Sequence, residues 1–497
     1  MRTTRRTTLL TPEEMAAADR AAAASGIDSY GLMEKAGRAV SACVLRNFPE
    51  ARRVAVLCGP GNNGGDGYVA ARDLAACGVP VVIHRLGVPE RLRGDARTAF
   101  LNCDIEGAPL EAYTPAEGDV IVDALFGAGL DRSVPAEVQA VIERVRAAEL
   151  PVVAVDLPSG LDGRTGEVLG AAFEAAYTVT FMARKPGHLL LPGRALCGAL
   201  DVYDIGIPWR IVAACAGDIA ENDPAIWSDL LPESAAGQHK FARGHLVVFS
   251  GPATATGAAR LTATAGLRAG AGLVTIAAPT DALAANAAHL TAVMLKEIAD
   301  VQALADWIGD SRLATFVLGP GFGVGEKARA FVATLKTRRL VLDADGITSF
   351  RDDPKRLFAA FGDGDCRLVL TPHEGEFGRL FPDIAANETL SKIDKARAAA
   401  ARANAAIVYK GADTVIAAPD GRALINTNAP ADLATAGSGD VLAGIVGGLL
   451  AQGMPAFEAA AAGVWMHGEA GRRAGRGLTA EDLAEAVAPP VRAGGLS

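Results

Sequence analysis

Short apolar runs alternate with longer alanine-rich stretches along most of this 497-residue chain. Runs such as residues 54–58, 120–122 and 152–155 are rich in valine and stop at a glycine or an acid. The stretches between the runs have helical spacing, as in residues 68–77, which are followed by a glycine. Strands that alternate with helices in this way predict an α/β fold with parallel sheets.

A change of pattern separates two such α/β regions. The last strand-like run of the first region covers residues 200–208, and the next strand begins near residue 244. A chain of this length is expected to form two to four domains of about 100–200 residues each. We therefore predict domains at residues 1–212 and 238–497, joined by a linker at 213–237, with no internal repeat between them.

Composition and charge narrow the possible partners. The chain has 48 Lys and Arg against 57 Asp and Glu, a net charge of −9, and no basic run that would follow a phosphate backbone. Its seven cysteines are scattered singly, without the paired spacing of a zinc site. We expect no nucleic-acid partner and a reduced, cytoplasmic location.

Neither the N-terminal residues nor the longest apolar stretch predicts export or insertion into a membrane. Arg2, Arg5 and Arg6 resemble part of an organelle transit peptide, but Thr-Pro-Glu-Glu at residues 11–14 predicts that an ordinary helix starts at once. The longest apolar stretch, residues 441–465, is interrupted by Gly, Gln, Pro and Glu. It predicts core helices rather than a membrane span.

The sequence Gly-Ser-Gly-Asp at residues 437–440 begins a predicted helix. Small residues bring backbone N–H groups to the start of the helix, where these groups and the helix dipole favour a phosphate. A carboxylate is repelled by phosphate, so Asp440 is suited to take a proton from the hydroxyl that attacks the phosphorus. The alternative is that Asp440 only caps its own helix.

Further strand ends in the C-terminal half carry polar groups. Apolar runs lead into Asp343 and Asp345, into His373 and into Lys410, and a Gly-Pro-Gly-Phe-Gly loop occupies residues 319–323. Ligands of an open α/β sheet bind beyond the carboxyl ends of its strands. These residues are therefore predicted to form one site with the helix start described above.

The N-terminal half has three strand ends with their own pattern. Residues 59–67 read Gly-Pro-Gly-Asn-Asn-Gly-Gly-Asp-Gly, and Asp123 and Asp156 each end an apolar run before a glycine-containing turn. One glycine-rich turn alone is weak evidence for a ligand site, because close packing also requires glycine. The three together predict a ligand site, the alternative being that Asp123 and Asp156 cap the helices that follow them.

On these motifs, roughly the last half of the chain resembles the ribokinase-like superfamily and, within it, the ADP/ATP-dependent NAD(P)H-hydrate dehydratases. Roughly the first 210 residues resemble NAD(P)H-hydrate epimerases. Together the two halves resemble the bifunctional NAD(P)H-hydrate repair enzymes. The resemblance implies an N-terminal Rossmann-like three-layer sandwich and a C-terminal ribokinase-like sheet, mostly parallel and flanked by helices.

The resemblance also implies the reaction. The substrate is NADH or NADPH hydrated across the nicotinamide 5,6 double bond, with a hydroxyl on C6. Hydroxide is a poor leaving group and phosphate a good one, so phosphorylation of that oxygen allows the ring nitrogen to expel it. Because C6 is a stereocentre, an epimerase makes both hands of the hydrate available to the dehydratase.

For the dehydratase, the resemblance implies that Asp440 is the general base and that ADP, with magnesium, is the phosphoryl donor. The residues implied to bind the hydrate are Ala258, Gly323, His373 and Asp440. Those implied to bind the nucleotide are Lys410, Gly411, Ala412, Asp413, Thr414 and Gly439. His373 has the alternative of a cap or surface histidine, and Lys410 that of a side chain reaching to solvent.

For the epimerase, the resemblance implies a potassium ion held by Asn63, Asp123 and Ser159, a set of hard oxygen donors. Asp156 is the best candidate for proton transfer. The residues implied to bind the hydrate are Asn62, Asn63, Gly64, Gly65, Asp66, Gly127, Ala128, Gly129, Leu130, Asp131, Arg132, Ser133 and Asp156.

Two other functions remain open from the sequence. A ribokinase-like fold also serves small-molecule and vitamin kinases, which release a phosphorylated product instead of orthophosphate. Domains resembling the N-terminal half also act as scaffold or RNA-associated modules, since a fold does not fix a function. The expected partners are the two hydrates, NADHX and NADPHX, with ADP, and we expect a homo-oligomer that binds neither nucleic acid nor membrane.

Overall fold

The computed structural model describes residues 4–232 and 243–490. It contains two compact units, an N-terminal unit from Thr8 to Ile219 and a C-terminal unit that combines the described residues from Ala220 onward with residues 4–7. Arg2 and the predicted domain start at residue 238 lie outside the described residues.

The N-terminal unit is built on a parallel seven-stranded sheet in the order β3-β2-β1-β4-β5-β6-β7, within the part of the chain described. The strands are β1 (Arg53–Cys58), β2 (Val81–Arg85), β3 (Gly107–Pro109), β4 (Asp119–Ala124), β5 (Val152–Val155), β6 (Tyr177–Phe181) and β7 (Ala199–Tyr203). The order reverses between β1 and β4, which creates a crevice beyond the carboxyl ends of these two strands.

Helices cover both faces of this sheet. They are α1 (Pro12–Ala24), α2 (Ser29–Asn47), α3 (Asn62–Ala76), α4 (Gly94–Leu101), α5 (Ala136–Ala147), α6 (Gly193–Leu196) and α7 (Trp209–Cys215). Apolar side chains of α2 and α3 pack against one face of the sheet, and those of α5 against the other. The predicted three-layer sandwich is confirmed, and its doubly covered strands explain the continuous apolar runs.

The C-terminal unit has a ten-stranded sheet in the order β11-β10-β9-β12-β13-β14-β15-β16-β17-β8, counted over the described residues. Strands β9 to β15 pair in parallel, while β16 is antiparallel to both neighbours. The strands are β8 (Ile219–Glu221), β9 (His245–Phe249), β10 (Leu273–Ala278), β11 (Met294–Glu297), β12 (Thr315–Leu318), β13 (Arg339–Leu342), β14 (Leu368–Leu370), β15 (Ala405–Tyr409), β16 (Val415–Ala417) and β17 (Ala423–Ile425).

Helices also cover this sheet, as predicted from the mostly parallel pattern. They are α8 (Pro224–Trp227), α9 (Gly257–Arg268), α10 (Leu283–Ala287), α11 (Val301–Trp307), α12 (Glu326–Thr334), α13 (Asp345–Thr348), α14 (Pro354–Phe361), α15 (Glu374–Leu380), α16 (Pro382–Ala385), α17 (Lys392–Ala403), α18 (Ser438–Ala451), α19 (Ala456–Ala474) and α20 (Ala480–Ala486). Side chains of α9, α18, α19 and α20 form one large apolar core with the strands. No helix among the described residues is both long and apolar enough to span a bilayer.

The segment predicted as a linker contains regular structure where it is described. Helix α7 ends inside it, β8 lies at the edge of the ten-stranded sheet, and α8 follows. Trp227 of α8 is fully buried, and its indole N–H donates to Asn222 Oδ1 (3.1 Å). A three-residue edge strand has too little periodicity to be detected from sequence, because strand preference depends on what the strand packs against.

Glycines bring α18 unusually close to α9 and to the sheet. A Cβ at Gly444 would overlap the carbonyl oxygen of Thr262 on α9, and one at Gly447 would lie 2.6 Å from a methyl of Val317 on β12. The hydroxyl of Thr262 donates to the carbonyl of Asp440 (3.0 Å). This packing fixes the start of α18, where Asp440 lies.

We expect Gly444→Ala to destabilise the C-terminal unit by about 1–3 kcal/mol, because the added methyl must push α9 and α18 apart. Urea unfolding followed by tryptophan fluorescence measures this change, since Trp227, Trp307 and Trp465 all belong to this unit. Gly378→Ala on α15 is the matched control. A Cβ there meets nothing nearer than 3.9 Å, so it should be neutral or stabilising by about 0.5–1 kcal/mol. Equal urea concentrations at the unfolding midpoint for Gly444→Ala and the parent would contradict the packing argument.

Candidate functional site

A cavity of about 590 Å³ lies in the N-terminal unit beyond the carboxyl ends of β1 and β4. Apolar side chains such as Met15, Leu32 and Phe181 form part of its wall, a composition typical of small-molecule sites. Most of the residues predicted to bind the hydrate line it: Asn62, Asn63, Asp66, Gly127, Ala128, Gly129, Leu130, Asp131, Arg132, Ser133 and Asp156.

Gly64 and Gly65 were predicted to bind the hydrate, but they do not line this cavity. A Cβ at Gly64 would overlap the carbonyl oxygen of Gly59, and one at Gly65 would lie 2.6 Å from the thioether of Met33. Both glycines therefore allow α3 to begin close to β1 and α2. These close contacts give both glycines a packing role that positions Asn63 and Asp66 on the same helix, and their contact with the hydrate stays a prediction.

Asp156 is held at the cavity by contacts to both carboxylate oxygens. Its Oδ1 accepts from Lys185 Nζ (2.5 Å) and Thr180 Oγ1 (2.9 Å), and its Oδ2 accepts from the backbone N–H of Ala128 (3.0 Å). The residue has a φ of 65°, an uncommon backbone conformation for an aspartate. Such a conformation persists only where surrounding contacts determine it, which is common at functional sites.

The charge state of Asp156 follows from Lys185. Burial alone would raise the pKa of the Asp156 carboxyl, but the ammonium of Lys185 and its hydrogen bond lower it to about 2. The side chain of Lys185 is only 2% exposed. His188 supports the pair from behind, since its Nδ1 accepts from the N–H of Lys185 and its Nε2 contacts the carbonyl oxygen of Asp156. Asp156 is thus a fixed carboxylate, not an acid.

Asp66 lines the same cavity, but its surroundings differ from those of Asp156. It is 9% exposed, and its carboxyl has no hydrogen-bond or ion-pair partner among the described residues. Burial, with smaller contributions from the charges of Asp156 and Asp19, raises the pKa of Asp66 well above its ordinary value. The pKa values of Asp156 and Asp66 are therefore shifted in opposite directions.

Asp123 and Ser159 lie together beneath the turn that follows β4. Asp123 is fully buried and accepts from the hydroxyl (2.6 Å) and the N–H (2.7 Å) of Ser159. No cationic side chain within residues 4–232 and 243–490 contacts it, and burial raises the pKa of its carboxyl to about 6. Asn63 Oδ1 lies 3.1 Å from the position of a Cβ on Gly127, and its buried Nδ2 has no partner. These oxygen donors suit a monovalent cation.

In the C-terminal unit, the start of α18 offers unused hydrogen-bond donors. Gly437 precedes the helix with a φ of 85°, and the N–H groups of Gly439 and Asp440 have no acceptor among the described residues. His467 supports the turn, because its Nε2 contacts the carbonyl (3.0 Å) and hydroxyl (3.1 Å) oxygens of Ser438. Donors free at a helix start bind anions.

Lys410 extends from the end of β15 to this helix start. Its Nζ donates to Asp343 Oδ1 (2.9 Å) and lies 3.9 Å from Glu376. A Cβ at Gly439 would be 3.5 Å from the same Nζ and 3.6 Å from Asp343 Oδ2. Burial opposes the charge of Lys410, but Asp343 and Glu376 outweigh it and raise the pKa of the ammonium. A cation therefore lies beside the unused N–H groups.

Asp440 has no hydrogen bond to its carboxylate and no ion-pair partner among the described residues. Burial is the main cause that raises its pKa to about 6, and the charge of Asp343 adds to it while Lys410 opposes it. A carboxyl with this pKa is ionised at neutral pH yet basic enough to accept a proton. Its position next to a helix start with unused N–H groups favours proton transfer over simple capping.

Ala258 and Gly323, predicted to bind the hydrate, lie around the same edge of the sheet. Ala258 is in the first turn of α9, one turn before Thr262, and its methyl is 3.4 Å from the position of a Cβ on Gly321. The N–H of Gly323 donates to Asp345 Oδ2 (3.0 Å). The loop at residues 319–323 and the start of α9 therefore lie beside each other.

Two predicted contacts have another explanation in the structure. His373 caps α15, since its Nδ1 accepts from the N–H of Gly375 (3.0 Å), and its side chain is 56% exposed. Asp413, predicted to contact nucleotide, pairs with Lys392 and so shapes its loop. The remaining members of that predicted set, Gly411, Ala412 and Thr414, are in the same turn, which a hydrogen bond from Thr414 Oγ1 to the carbonyl of Gly411 closes.

Sequence reasoning missed two groups that complete the sites, Lys185 in the N-terminal unit and His467 in the C-terminal unit. Asp343 follows β13 as the strand-end pattern predicted, and it pairs there with Lys410. Lys185 and His467 come from segments whose sequence has no distinctive spacing. Their functions depend on contacts between distant elements.

Comparison with known proteins gives two family matches. Residues 246–488 match the model of the NAD(P)H-hydrate dehydratase family, and residues 29–187 match that of the YjeF-related protein N-terminus. The chain is 38% identical to a bifunctional NAD(P)H-hydrate repair enzyme Nnr of Moorella thermoacetica, covering 94% of this chain and 92% of that one.

Two further similarities extend this result. The corresponding Escherichia coli enzyme is 34% identical over 92% of this chain and 88% of its own. An ADP/ATP-dependent NAD(P)H-hydrate dehydratase from Bacillus subtilis, crystallised with ATP and magnesium, is 24% identical with a TM-score of 0.45. That match covers 54% of this chain and 95% of the Bacillus chain.

We expect Lys185→Met to destabilise the N-terminal unit by about 3–5 kcal/mol, because it leaves the buried carboxylate of Asp156 without its cation. Hydrogen exchange, measured by mass spectrometry on peptides of this unit, reports the loss of stability. The lowered pKa of Asp156 gives stability above the unfolded value of 3.8 that disappears as pH falls through about 2. The difference between parent and variant should therefore narrow between pH 4 and about pH 2.

Lys35→Met on α2 is the control, since Lys35 is exposed and its loss should change stability by no more than about 0.5 kcal/mol. Equal protection in Lys185→Met and Lys35→Met would contradict the role of the ion pair.

Proposed function

Because the chain belongs to the family of bifunctional NAD(P)H-hydrate repair enzymes, we propose that each of its two sites performs one step of the repair. The enzyme is an isomerase in its N-terminal unit and a lyase in its C-terminal unit. The hydrated NADH or NADPH is epimerised at C6, and the S form is dehydrated with a nucleotide as phosphoryl donor.

The dehydratase proposal rests on Asp440, a basic carboxylate beside unused N–H groups and Lys410. Asp440 takes the proton of the C6 hydroxyl as its oxygen bonds to the terminal phosphorus and the bond to the departing nucleotide breaks. The C6–O bond then breaks as the nitrogen pair forms an N1–C6 double bond, and orthophosphate leaves. Loss of a C5 proton restores the dihydropyridine.

The nucleotide is proposed to bind along Lys410 and the start of α18. The N–H groups of Gly439 and Asp440, with Lys410, face the phosphates and stabilise charge on the transferring group. Gly411, Ala412 and Thr414 contribute backbone and hydroxyl groups of the adjoining turn. Asp413 acts through its pair with Lys392, since a carboxylate would repel phosphate.

Magnesium is proposed to accompany the nucleotide. No group of three or more His, Cys, Asp or Glu side chains suited to a metal occurs in the described part of the chain. This agrees with a magnesium ion held mainly by phosphates and water, with one or two carboxylates at most. Its role there is to neutralise charge on the phosphates.

The epimerase proposal uses the cavity of the N-terminal unit. Asp156 takes part in proton transfer at C6, and the turn at residues 127–133 holds the hydrate. Asn63, Asp123 and Ser159 supply oxygen atoms for potassium, which fits a buried carboxylate that lacks a cationic neighbour. When bound, potassium supplies positive charge that orders the turn after β4.

A reduced cytoplasm is the proposed compartment, since all seven cysteines are free thiols. We also propose a homo-oligomer, and light scattering of the purified chain tests it; a monomeric mass would exclude it.

We expect Asp440→Asn to reduce dehydration by a factor on the order of 10²–10⁴ while epimerisation continues, because the amide keeps the shape but not the basicity. The assay follows NADH absorbance and orthophosphate from mixed epimers, with chiral chromatography of the remaining hydrates. Release of a phosphorylated product without orthophosphate would favour a kinase.

Omitting potassium from the assay should slow only the epimerisation. Equal epimerisation rates with and without potassium would exclude the proposed ion.

The pH profile gives an independent check of Asp440. The kcat/KM of dehydration should fall about tenfold per pH unit below the Asp440 pKa of about 6, where the base is protonated. Asp343→Asn removes a charge that raises this pKa, so the acid limb should move to lower pH. A shift to higher pH would contradict the electrostatic explanation.

The preferred donor is expected to be ADP, with AMP and orthophosphate as products. The site must hold the inner phosphate at Lys410 while the terminal phosphorus lies about 3–3.5 Å from the C6 oxygen. A third phosphate would displace the hydrate or extend into solvent. The measurement is kcat/KM for ADP and for ATP freed of ADP, using the S hydrate, and a clear preference for ATP would overturn this assignment.

A further inference from the structure

The cavity of the N-terminal unit contains a carboxyl group with no partner. Asp66 is in the second turn of α3, is 9% exposed, and makes no hydrogen bond or ion pair with any described residue. Its carboxyl oxygens are not among the fully enclosed polar atoms that lack a partner, so they are reached from the cavity. Asp66 lines the cavity, which gives it access to a bound molecule.

The other charged side chains that line this cavity are Asp19, Asp95, Asp131, Arg132, Asp156 and Lys185. Asp19, Asp131 and Arg132 are exposed, and Asp95 is half-buried. Asp66 is the only one of these carboxyl groups that is both buried and unpartnered among the described residues. Burial therefore disfavours the ionised form of Asp66.

Epimerisation at C6 needs a proton donor that Asp156 does not supply. Its carboxylate is held ionised by Lys185. Lys185 in turn donates to Asp156 and Thr180, and loss of its proton would leave a buried carboxylate without a cation. Hydroxide leaves carbon readily only after protonation, so a separate acid is required.

We propose that Asp66 is the catalytic acid that protonates the C6 hydroxyl, and that Asp156 receives the proton of the water that returns to the opposite face. This role rests on the epimerase function proposed above. The raised pKa of Asp66 supports it, because the carboxyl stays protonated at pH values where an exposed aspartate is ionised.

The step balances without any further reactant. The proton of Asp66 passes to the hydroxyl oxygen, the C6–O bond breaks, and the nitrogen pair forms an N1–C6 double bond as water leaves. Water then adds to the other face of C6, the N1–C6 pair returns to nitrogen, and the added water gives its proton to Asp156. Return of that proton to Asp66 through cavity water restores the enzyme. A water bonded to such a cationic centre is strongly acidic, so even a weakly basic carboxylate accepts its proton.

The test is the exchange of oxygen at C6. In water enriched in oxygen-18, the parent enzyme should label the C6 hydroxyl at the rate of epimerisation, as measured by mass spectrometry. Asp66→Asn should reduce both rates together by a factor on the order of 10²–10⁴, with KM for the hydrate changed little. Asp66→Glu restores an acid and should recover part of the lost rate.

Asp73→Asn is the matched control, because Asp73 is on the same helix, is outside the cavity and is bound by Ser41. It should label and epimerise like the parent. Hydrogen exchange on α3 peptides verifies that Asp66→Asn is folded. The parent should also lose kcat as pH rises through the Asp66 pKa, and Asp66→Asn should lack this limb.

The outcomes are distinct. Parent-like epimerisation by Asp66→Asn, or a change in KM alone, would overturn the acid role. Epimerisation by the parent without oxygen exchange would overturn the C6–O cleavage. A parent that does not interconvert the hydrates at all would instead overturn the proposed epimerase function.

Discussion

One lysine organises each of the two sites. In the N-terminal unit Lys185 pairs with Asp156, and in the C-terminal unit Lys410 pairs with Asp343. Each pair places a carboxyl group beside a cation at the edge of a sheet, where a charge without a partner would be unfavourable. A second carboxyl group, Asp66 or Asp440, faces the same site without a cation bonded to it. The pairing of one carboxylate therefore leaves the other free to exchange protons.

The sheets determine where these groups meet. Parallel strands bring their carboxyl ends to one edge, so residues far apart in sequence enter a single site. Asp343 follows β13 and Lys410 follows β15, while the start of α18 is brought to them by its glycine contacts with α9. The small residues of α18 thus have two functions. Some permit close packing, and those at its start expose N–H groups.

The sequence predicts the features that depend on neighbouring residues. It does not predict those that depend on contacts between residues far apart in the chain. The apolar runs identified most strands, and the loops at residues 59–67 and 437–440 identified both site edges, because these patterns are local. Lys185 gave no such signal, since only the fold brings it to Asp156. His373 shows the reverse case, because a histidine after a strand fits both a ligand contact and the helix cap that the structure contains. Strand β8 was missed because three residues at a sheet edge carry almost no periodicity.

Burial acts on one carboxyl group in each unit, and the chemistry proposed for the two groups is opposite. Burial raises the pKa of both Asp440 and Asp66, but their neighbours differ in sign. Lys410 limits the effect at Asp440, whose pKa of about 6 leaves a carboxylate at neutral pH. At Asp66 the neighbouring charges are those of Asp156 and Asp19, which add to the effect of burial and raise the pKa further. Phosphorylation of an alcohol requires a base and departure of a hydroxyl requires an acid. In the proposed mechanisms, the charges around each carboxyl group therefore determine whether it serves as the base or as the acid.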